Sequence, residues 1–290
     1  MCTVCGCGEA DQHHHAHAHD SEHEHTHDHG HDHGHHHHHH GQGAAGLSID
    51  GLSQERIVRI EQDILGRNDA HARGNRNFFE SHGILTVNLL SSPGSGKTTL
   101  LERSIADLKE RFDVSVIEGD QQTENDAERI RATGVPVLQI NTGKGCHLDA
   151  HMVGHGVQDL KPADYGILFI ENVGNLVCPA MFDLGEAARV VILSVTEGED
   201  KPLKYPDMFH RADLVLINKI DLLPYLRFDI ERCLGYLQQV NPDVETIRVS
   251  ATTGEGMDQW YGWLERRRKA LLAERLAGLE RQAAAIRARI

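Results

Sequence analysis

Ser91-Ser92-Pro93-Gly94-Ser95-Gly96-Lys97-Thr98-Thr99 is the stretch on which the fold turns. It follows an apolar run at residues 84–90 and opens an amphipathic segment, the strand–loop–helix setting that a phosphate loop requires. The usual pattern is G-x-x-x-x-G-K-[ST]; here Ser91 stands at the first glycine and the rest fits. The spacing has a chemical reason. Gly94, Ser95 and Gly96 let backbone N–H groups turn toward phosphate at a helix N-terminus, which already favours anions. Lys97 reaches the β- and γ-phosphates, the Thr98 hydroxyl sits on Mg²⁺, and Thr99 continues the first turn.

Further apolar runs lie at 114–117, 137–140, 167–170, 190–195, 214–217 and 244–249, separated by amphipathic stretches. Strands alternating with helical segments predict an α/β fold, a mainly parallel sheet with helices on both faces. Residues 83–290 are read as this nucleotide-binding domain, ending in a long charged helix over 256–290 with Leu271, Leu272, Leu276 and Leu279 on one stripe. Residues 47–82 read as a helical lead-in. Ile57, Ile60 and Ile64 recur at helical spacing, Ser53 is the expected N-cap and Gly83 the stop.

The base is specified by a second motif. The run at 214–217 ends in Asn218-Lys219-Ile220-Asp221, the N-K-x-D element of guanine-nucleotide proteins. A carboxylate at Asp221 accepts from both N1–H and the N2 amine of guanine; adenine would leave it buried and unpaired. Asn218 braces the loop, the Lys219 stem covers the purine, and Ser250-Ala251 matches the further base-contacting loop. Two acidic strand ends, Glu118-Gly119-Asp120 and Glu171-Asn172-Val173-Gly174, are candidate Mg²⁺ and water positioners. The second resembles a D-x-x-G switch with Glu171 for Asp and Gly174 near the γ-phosphate. Phosphoryl transfer needs chiefly positioning and charge neutralisation, and Lys97, Asp120, Glu171 and Gly174 are the expected suppliers. With no evident arginine finger, and with Ser92 where a related dimeric class carries a lysine, slow intrinsic GTP hydrolysis is expected.

Metal chemistry is written at three places. Cys2, Cys5 and Cys7 form a C-x-x-C-G-C group, suited to square-planar Ni²⁺ or tetrahedral Zn²⁺. Residues 1–46 hold 17 of the 23 histidines, all within 13–40, and almost no apolar side chains. Such a tail is expected to stay disordered unless metal gathers it, and to buffer several ions. The six-histidine run at 35–40 continues a longer His/Asp/Glu/Gly alternation, so it is read as native rather than as a tag. Cys146-His147 precedes a predicted helix, and Cys178 follows Gly174 by four residues; together they make an incomplete shell. Each of the three, taken singly, is more often a buried thiol or a satisfied histidine.

The net charge of −14 is uneven. Residues 1–50 carry eight acids and no Lys or Arg, which leaves −6 for the other 240 residues. Neither part is basic, so no nucleic-acid partner is indicated. No run of about 18 apolar residues predicts a membrane span, and no secretory signal opens the chain, so the cytoplasm is the expected compartment. Six cysteines there are read as ligands or thiols rather than disulfides.

Taken together, Met1-Cys2-Thr3-Val4-Cys5-Gly6-Cys7-Gly8, the phosphate loop, Cys146-His147-Leu148-Asp149-Ala150, Glu171-Asn172-Val173-Gly174-Asn175-Leu176-Val177-Cys178-Pro179, Lys201-Pro202-Leu203-Lys204-Tyr205-Pro206 and Asn218–Asp221 resemble the HypB family. These are nickel-incorporation GTPases that mature NiFe-hydrogenases. The resemblance implies a SIMIBI-type P-loop NTPase. It further implies a nucleotide-dependent homodimer with metal held at the interface by Cys146, His147 and Cys178 of each subunit. A HypA-type nickel chaperone and a hydrogenase large-subunit precursor are the implied partners. The urease-activating sister GTPase is disfavoured by the cysteine pattern. A nickel storage or detoxification protein, with the tail as its working part, is the alternative from another class.

Overall fold

The apolar runs emerge as strands. The computed structural model describes residues 53–120, 125–143 and 145–290. Its strands are β1 (Leu85–Ser91), β2 (Val114–Asp120), β3 (Val137–Asn141), β4 (Ile167–Glu171), β5 (Ala188–Ser194), β6 (Leu214–Asn218) and β7 (Glu245–Arg248). All pair in parallel in one sheet, ordered β3-β2-β4-β1-β5-β6-β7. The order reverses on either side of β1, so the crevice at its carboxyl end is the expected ligand position in an open α/β sheet.

The helices are α1 (Gln54–His82), α2 (Lys97–Leu108), α3 (Asn125–Arg131), α4 (Ala150–Leu160) and α5 (Cys178–Met181), then α6 (Lys201–Lys204), α7 (Pro206–His210), α8 (Ile230–Val240) and α9 (Met257–Arg287), with a 3-10 turn at Ile220–Tyr225. They cover both sheet faces, and strand alternation sorts the core into two layers. Val190, Ile192, Leu214 and Leu216 face the layer built with Leu100, Leu101, Trp260 and Trp263. Val191, Leu193, Val215 and Ile217 face the other, with Met208, Phe209, Cys233 and Leu237. Strands buried on both faces explain why the sequence shows continuous apolar runs there rather than alternation.

One difference from the sequence reading concerns the C-terminal helix. On α9 the anchor is its first two turns, where Met257, Trp260, Trp263 and Leu264 are buried, whereas Leu276 and Leu279 of the leucine stripe are exposed. The Trp260 indole N–H donates to Ser104 Oγ at 3.0 Å, so its polar atom is satisfied inside the core. On α1, Ser53 Oγ accepts the Arg56 N–H at 3.4 Å. The chain divides after Glu61, and from Gln62 onward α1 belongs to the same compact unit as the sheet. There Ala72 and Phe79 are buried and Arg76 pairs with Asp183 at 2.8 Å. Gly83, with φ +66°, ends the helix.

Cys2, Cys5, Cys7, the histidine tract and Lys144 lie outside the described residues. Among the described residues no helix is long and apolar enough to cross a membrane.

Candidate nucleotide and metal sites

The loop after β1 closes over the switch point. Gly96 takes φ +92°, and a Cβ there would come within 2.8 Å of Asn218 Nδ2. Only glycine permits both the backbone twist and that approach. Asn218 Nδ2 donates to the Ser95 carbonyl at 3.0 Å and Lys219 Nζ to the Gly94 carbonyl at 2.7 Å. The base-reading segment after β6 therefore braces the phosphate loop directly. Asp221 accepts from Ser250 Oγ at 2.6 Å, and the Ala251 N–H points at Asn218 Oδ1 at 3.4 Å. Residues separated by more than 120 positions thus form one cradle. The Thr99 hydroxyl lies apart from it, accepting from Arg129 at 3.2 Å.

Acidic groups converge beneath the loop. Parallel pairing of β2 with β4 sets Glu118 beside Glu171. Glu171 is buried, and its Oε1 accepts from Lys97 Nζ at 2.8 Å and from Thr98 Oγ1 at 2.6 Å. Its Oε2, like Oε2 of buried Glu118, has no hydrogen-bond partner. Burial, with the Glu171 and Asp120 carboxylates close by, pushes the Glu118 carboxyl up to about 8. The orphaned Glu171 oxygen, the Thr98 hydroxyl and the Asp120 carboxylate at the neighbouring strand end are a hard, oxygen-only donor set, the kind that suits Mg²⁺. Asp120, at the end of β2, is half-buried, and its carbonyl accepts from the Thr142 N–H at 2.9 Å. Gly174 lies against the phosphate loop: a Cβ on it would be 3.2 Å from the Pro93 backbone.

The third sequence-predicted metal group is brought together by the fold. One ligand atom from each of Cys146, His147 and Cys178 lies within 4.8 Å of the others. Both cysteines are buried and neither is in a disulfide. The His147 ring stacks on Phe182, with centroids 4.0 Å apart, which restrains its rotation. Three soft or borderline donors at this spacing fit one ion with metal–ligand bonds of about 2.0–2.3 Å.

Sequence reasoning missed the group that joins the two sites. Buried Asn172 accepts with Oδ1 both the Leu148 N–H at 3.1 Å and the Val173 N–H at 2.9 Å. Its amide donates toward Asn88 Oδ1 at 3.4 Å. One side chain therefore connects the strand end carrying Glu171 to the loop carrying Cys146 and His147. Nothing in an Asn between two functional residues signals this at the sequence level. The Lys201–Lys204 helix also gains a physical account. Ser92 Oγ donates to Glu197, and Lys201 Nζ lies 3.7 Å from the same carboxylate, so this segment buttresses the phosphate loop.

Comparison with known proteins agrees with this geometry. Residues 85–248 match the family described as CobW/HypB/UreG, nucleotide-binding domain. A hydrogenase maturation factor HypB of Azotobacter vinelandii is 63% identical over 246 residues, covering 85% of this chain and 81% of that protein. The chain belongs to the HypB family of hydrogenase maturation factors. The HypB of Escherichia coli is 59% identical over 228 residues, with 79% of each chain covered. Among solved structures, HypB from Helicobacter pylori in complex with nickel superimposes with a TM-score of 0.66 at 40% identity, covering 70% of this chain and 96% of that one. A P-loop nucleotide-binding domain on a seven-stranded parallel sheet is thus shared with other HypB proteins.

Proposed function

We propose that this maturation factor is a GTPase that delivers nickel to a NiFe-hydrogenase large-subunit precursor, with nucleotide state governing the nickel site. The observation that carries this reading is the Asn172 bridge, which ties Glu171 beneath the phosphate loop to the Cys146-His147 loop. The same switch segment runs from Glu171 through Gly174 to Cys178.

Lys97 and Thr98 both donate to Glu171. The β- and γ-phosphates of GTP draw Lys97 away, and Asp221 selects guanine. Thr98 and Asp120 are the ligands assigned to Mg²⁺, which neutralises phosphate charge when bound. Released from Lys97, Glu171 is available to orient a water toward the γ-phosphorus while the Gly174 N–H faces the γ-phosphate. Hydrolysis breaks the β–γ phosphoanhydride and yields GDP and phosphate. Movement of the Glu171–Gly174 segment shifts Cys178 and, through Asn172, Cys146 and His147.

Nickel is cargo rather than a resident cofactor. Three ligands from one chain leave the shell incomplete, and a second copy of the chain completes it, so the working form is a nucleotide- and metal-dependent homodimer in the cytoplasm. A HypA-type chaperone supplies or receives the ion. Zn²⁺ competes for the same thiolates. The Cys2/Cys5/Cys7 group and the histidine tract hold further nickel.

The test is a Ni²⁺ titration of the full chain with GDP and with a non-hydrolysable GTP analogue, following thiolate-to-nickel absorption and dimerisation together. The reading requires the analogue to drive dimerisation and to shift a nickel site that Cys178→Ala abolishes. Equal nickel affinity in the two nucleotide states would overturn it and favour storage on the tail.

A further inference from the structure

Outside the cysteine site, three histidines gather where α1 passes α4. His151 and His155 are one turn apart on α4, and His155 Nε2 lies 3.1 Å from His151 Nε2. Their rings meet edge-on with centroids 4.5 Å apart, and His71 of α1 approaches His151 at 4.9 Å. All three are exposed. They line one side of a cleft of about 780 Å³ that also includes Phe78, Asn75 and Gln158.

We propose that His151 and His155, with His71 packed edge-on against His151, form a second divalent-metal site for a borderline ion of the Ni²⁺, Zn²⁺ or Cu²⁺ class. Two metal–nitrogen bonds of about 2.1 Å put their nitrogens about 3.0 Å apart at a right angle and about 3.4 Å apart at the tetrahedral angle. The observed 3.1 Å falls between these values, so the spacing of the pair suits a single ion. Two histidines at i and i+4 on one helix face are an established way to present two imidazoles to one ion. The same spacing accommodates an N–H···N hydrogen bond between neutral rings, which holds the pair together before an ion arrives. Water completes the shell.

The crossing that brings the helices together is itself built. Gly154 lies between the two α4 histidines, and a Cβ there would come within 2.8 Å of Asn75 Oδ1 on α1. Asn75 Nδ2 donates to the Ala150 carbonyl at 2.7 Å, and Asn68 Oδ1 accepts the Ala150 N–H at 2.9 Å. The N-terminal turn of α4 is thus clamped to α1, and the Asp149 side chain caps it at the Met152 N–H. His151 follows His147 by one helical turn in sequence, so an ion on this outer site sits next along the chain from the cysteine group. The proposal is independent of whether nucleotide governs that group.

The tail also binds metal, so the readout must be local. The full chain is incubated with Cu²⁺, ascorbate and peroxide, and histidine oxidation is mapped by peptide mass spectrometry. His210, exposed on α7 with Nδ1 3.2 Å from the Val240 carbonyl, is the internal reference. Because a second tethered imidazole raises local affinity, oxidation at His151 and His155 should exceed that at His210 by about tenfold or more. His151→Gln should bring His155 down to the His210 level, while Cys178→Ala leaves the pattern unchanged. Glutamine at this exposed position keeps helix propensity. Equal oxidation at His151, His155 and His210, or a His155 signal indifferent to His151→Gln, would reduce the cluster to separate surface histidines. Loss of the signal in Cys178→Ala would make it part of the cysteine site and overturn the second site.

Discussion

Asp221 illustrates how much one side chain decides. It lies on the turn after β6, held by Ser250 Oγ at 2.6 Å, so its second oxygen and the direction of its carboxylate are set before a base arrives. Replacing it by Asn exchanges one acceptor for a donor at the place where guanine offers two donors. Asp221→Asn should weaken GTP binding by about ten- to a hundredfold, since an unpaired buried polar group costs about 1–3 kcal/mol. The same change should improve binding of xanthosine triphosphate, whose C2 carbonyl accepts what Asn offers. Competition binding with the two nucleotides checks both halves; unchanged preference would remove Asp221 from base reading. Asn172 is the complementary case, a residue with no catalytic chemistry whose position joins two loops. Asn172→Ala should leave GDP affinity within about threefold, because no phosphate-loop contact runs through its side chain.

Docking of α1 depends on a small polar set. Arg76 reaches both oxygens of Asp183, and the Gly185 N–H donates to the same carboxylate. Burial acts to raise the Asp183 carboxyl, but the Arg76 hydrogen bonds and charge and the Gly185 N–H outweigh it and hold it below its ordinary value. A depressed carboxyl stabilises the fold above its unfolded-state value of about 3.9 and loses that contribution as pH falls through the lower folded-state value. Asp183→Asn should therefore cost about 1 kcal/mol near neutrality, a figure reduced for the pair's partial exposure, and the two proteins should converge at acid pH. Chemical denaturation at pH 7 and below pH 4 tests the sign; a gap that widens with acid would refute it. At the other end of the chain, α9 is anchored by its first turns. Trp260→Ala should cost about 3–5 kcal/mol, whereas Leu276→Ala, at an exposed position, should stay within about 0.5 kcal/mol. Thermal unfolding of the two variants would separate these sizes.

At the scale of the whole molecule the central expectation is reciprocity. If nucleotide alters nickel affinity by some factor, nickel alters nucleotide affinity by the same factor. A calorimetric cycle of Ni²⁺ and the GTP analogue should close with equal couplings in the native chain and lose most of the coupling in Asn172→Ala. Coupling that survives the substitution would mean that the Cys178 segment alone carries it.

Much of this was written in the chain order. Continuous apolar runs set between amphipathic segments dictated a parallel sheet, because strands buried on both faces cannot alternate and must be joined by crossovers. The phosphate loop and Asn218-Lys219-Ile220-Asp221 are local devices whose chemistry depends on near neighbours, so they were legible as residues before any fold existed. The pairings between distant positions were not. Glu118 beside Glu171 follows from strand order, the anchoring of α9 by Trp260 rather than by Leu276 or Leu279 follows from which turn meets α2, and the Asn172 bridge and the packing of His71 on His151 follow from close approach of loops and helices. Periodicity and motif spacing report on neighbours along the chain, whereas the long-range members of this set join residues from 24 to 156 positions apart. Only tertiary packing, with the desolvation that makes each buried polar atom find a partner, could decide them.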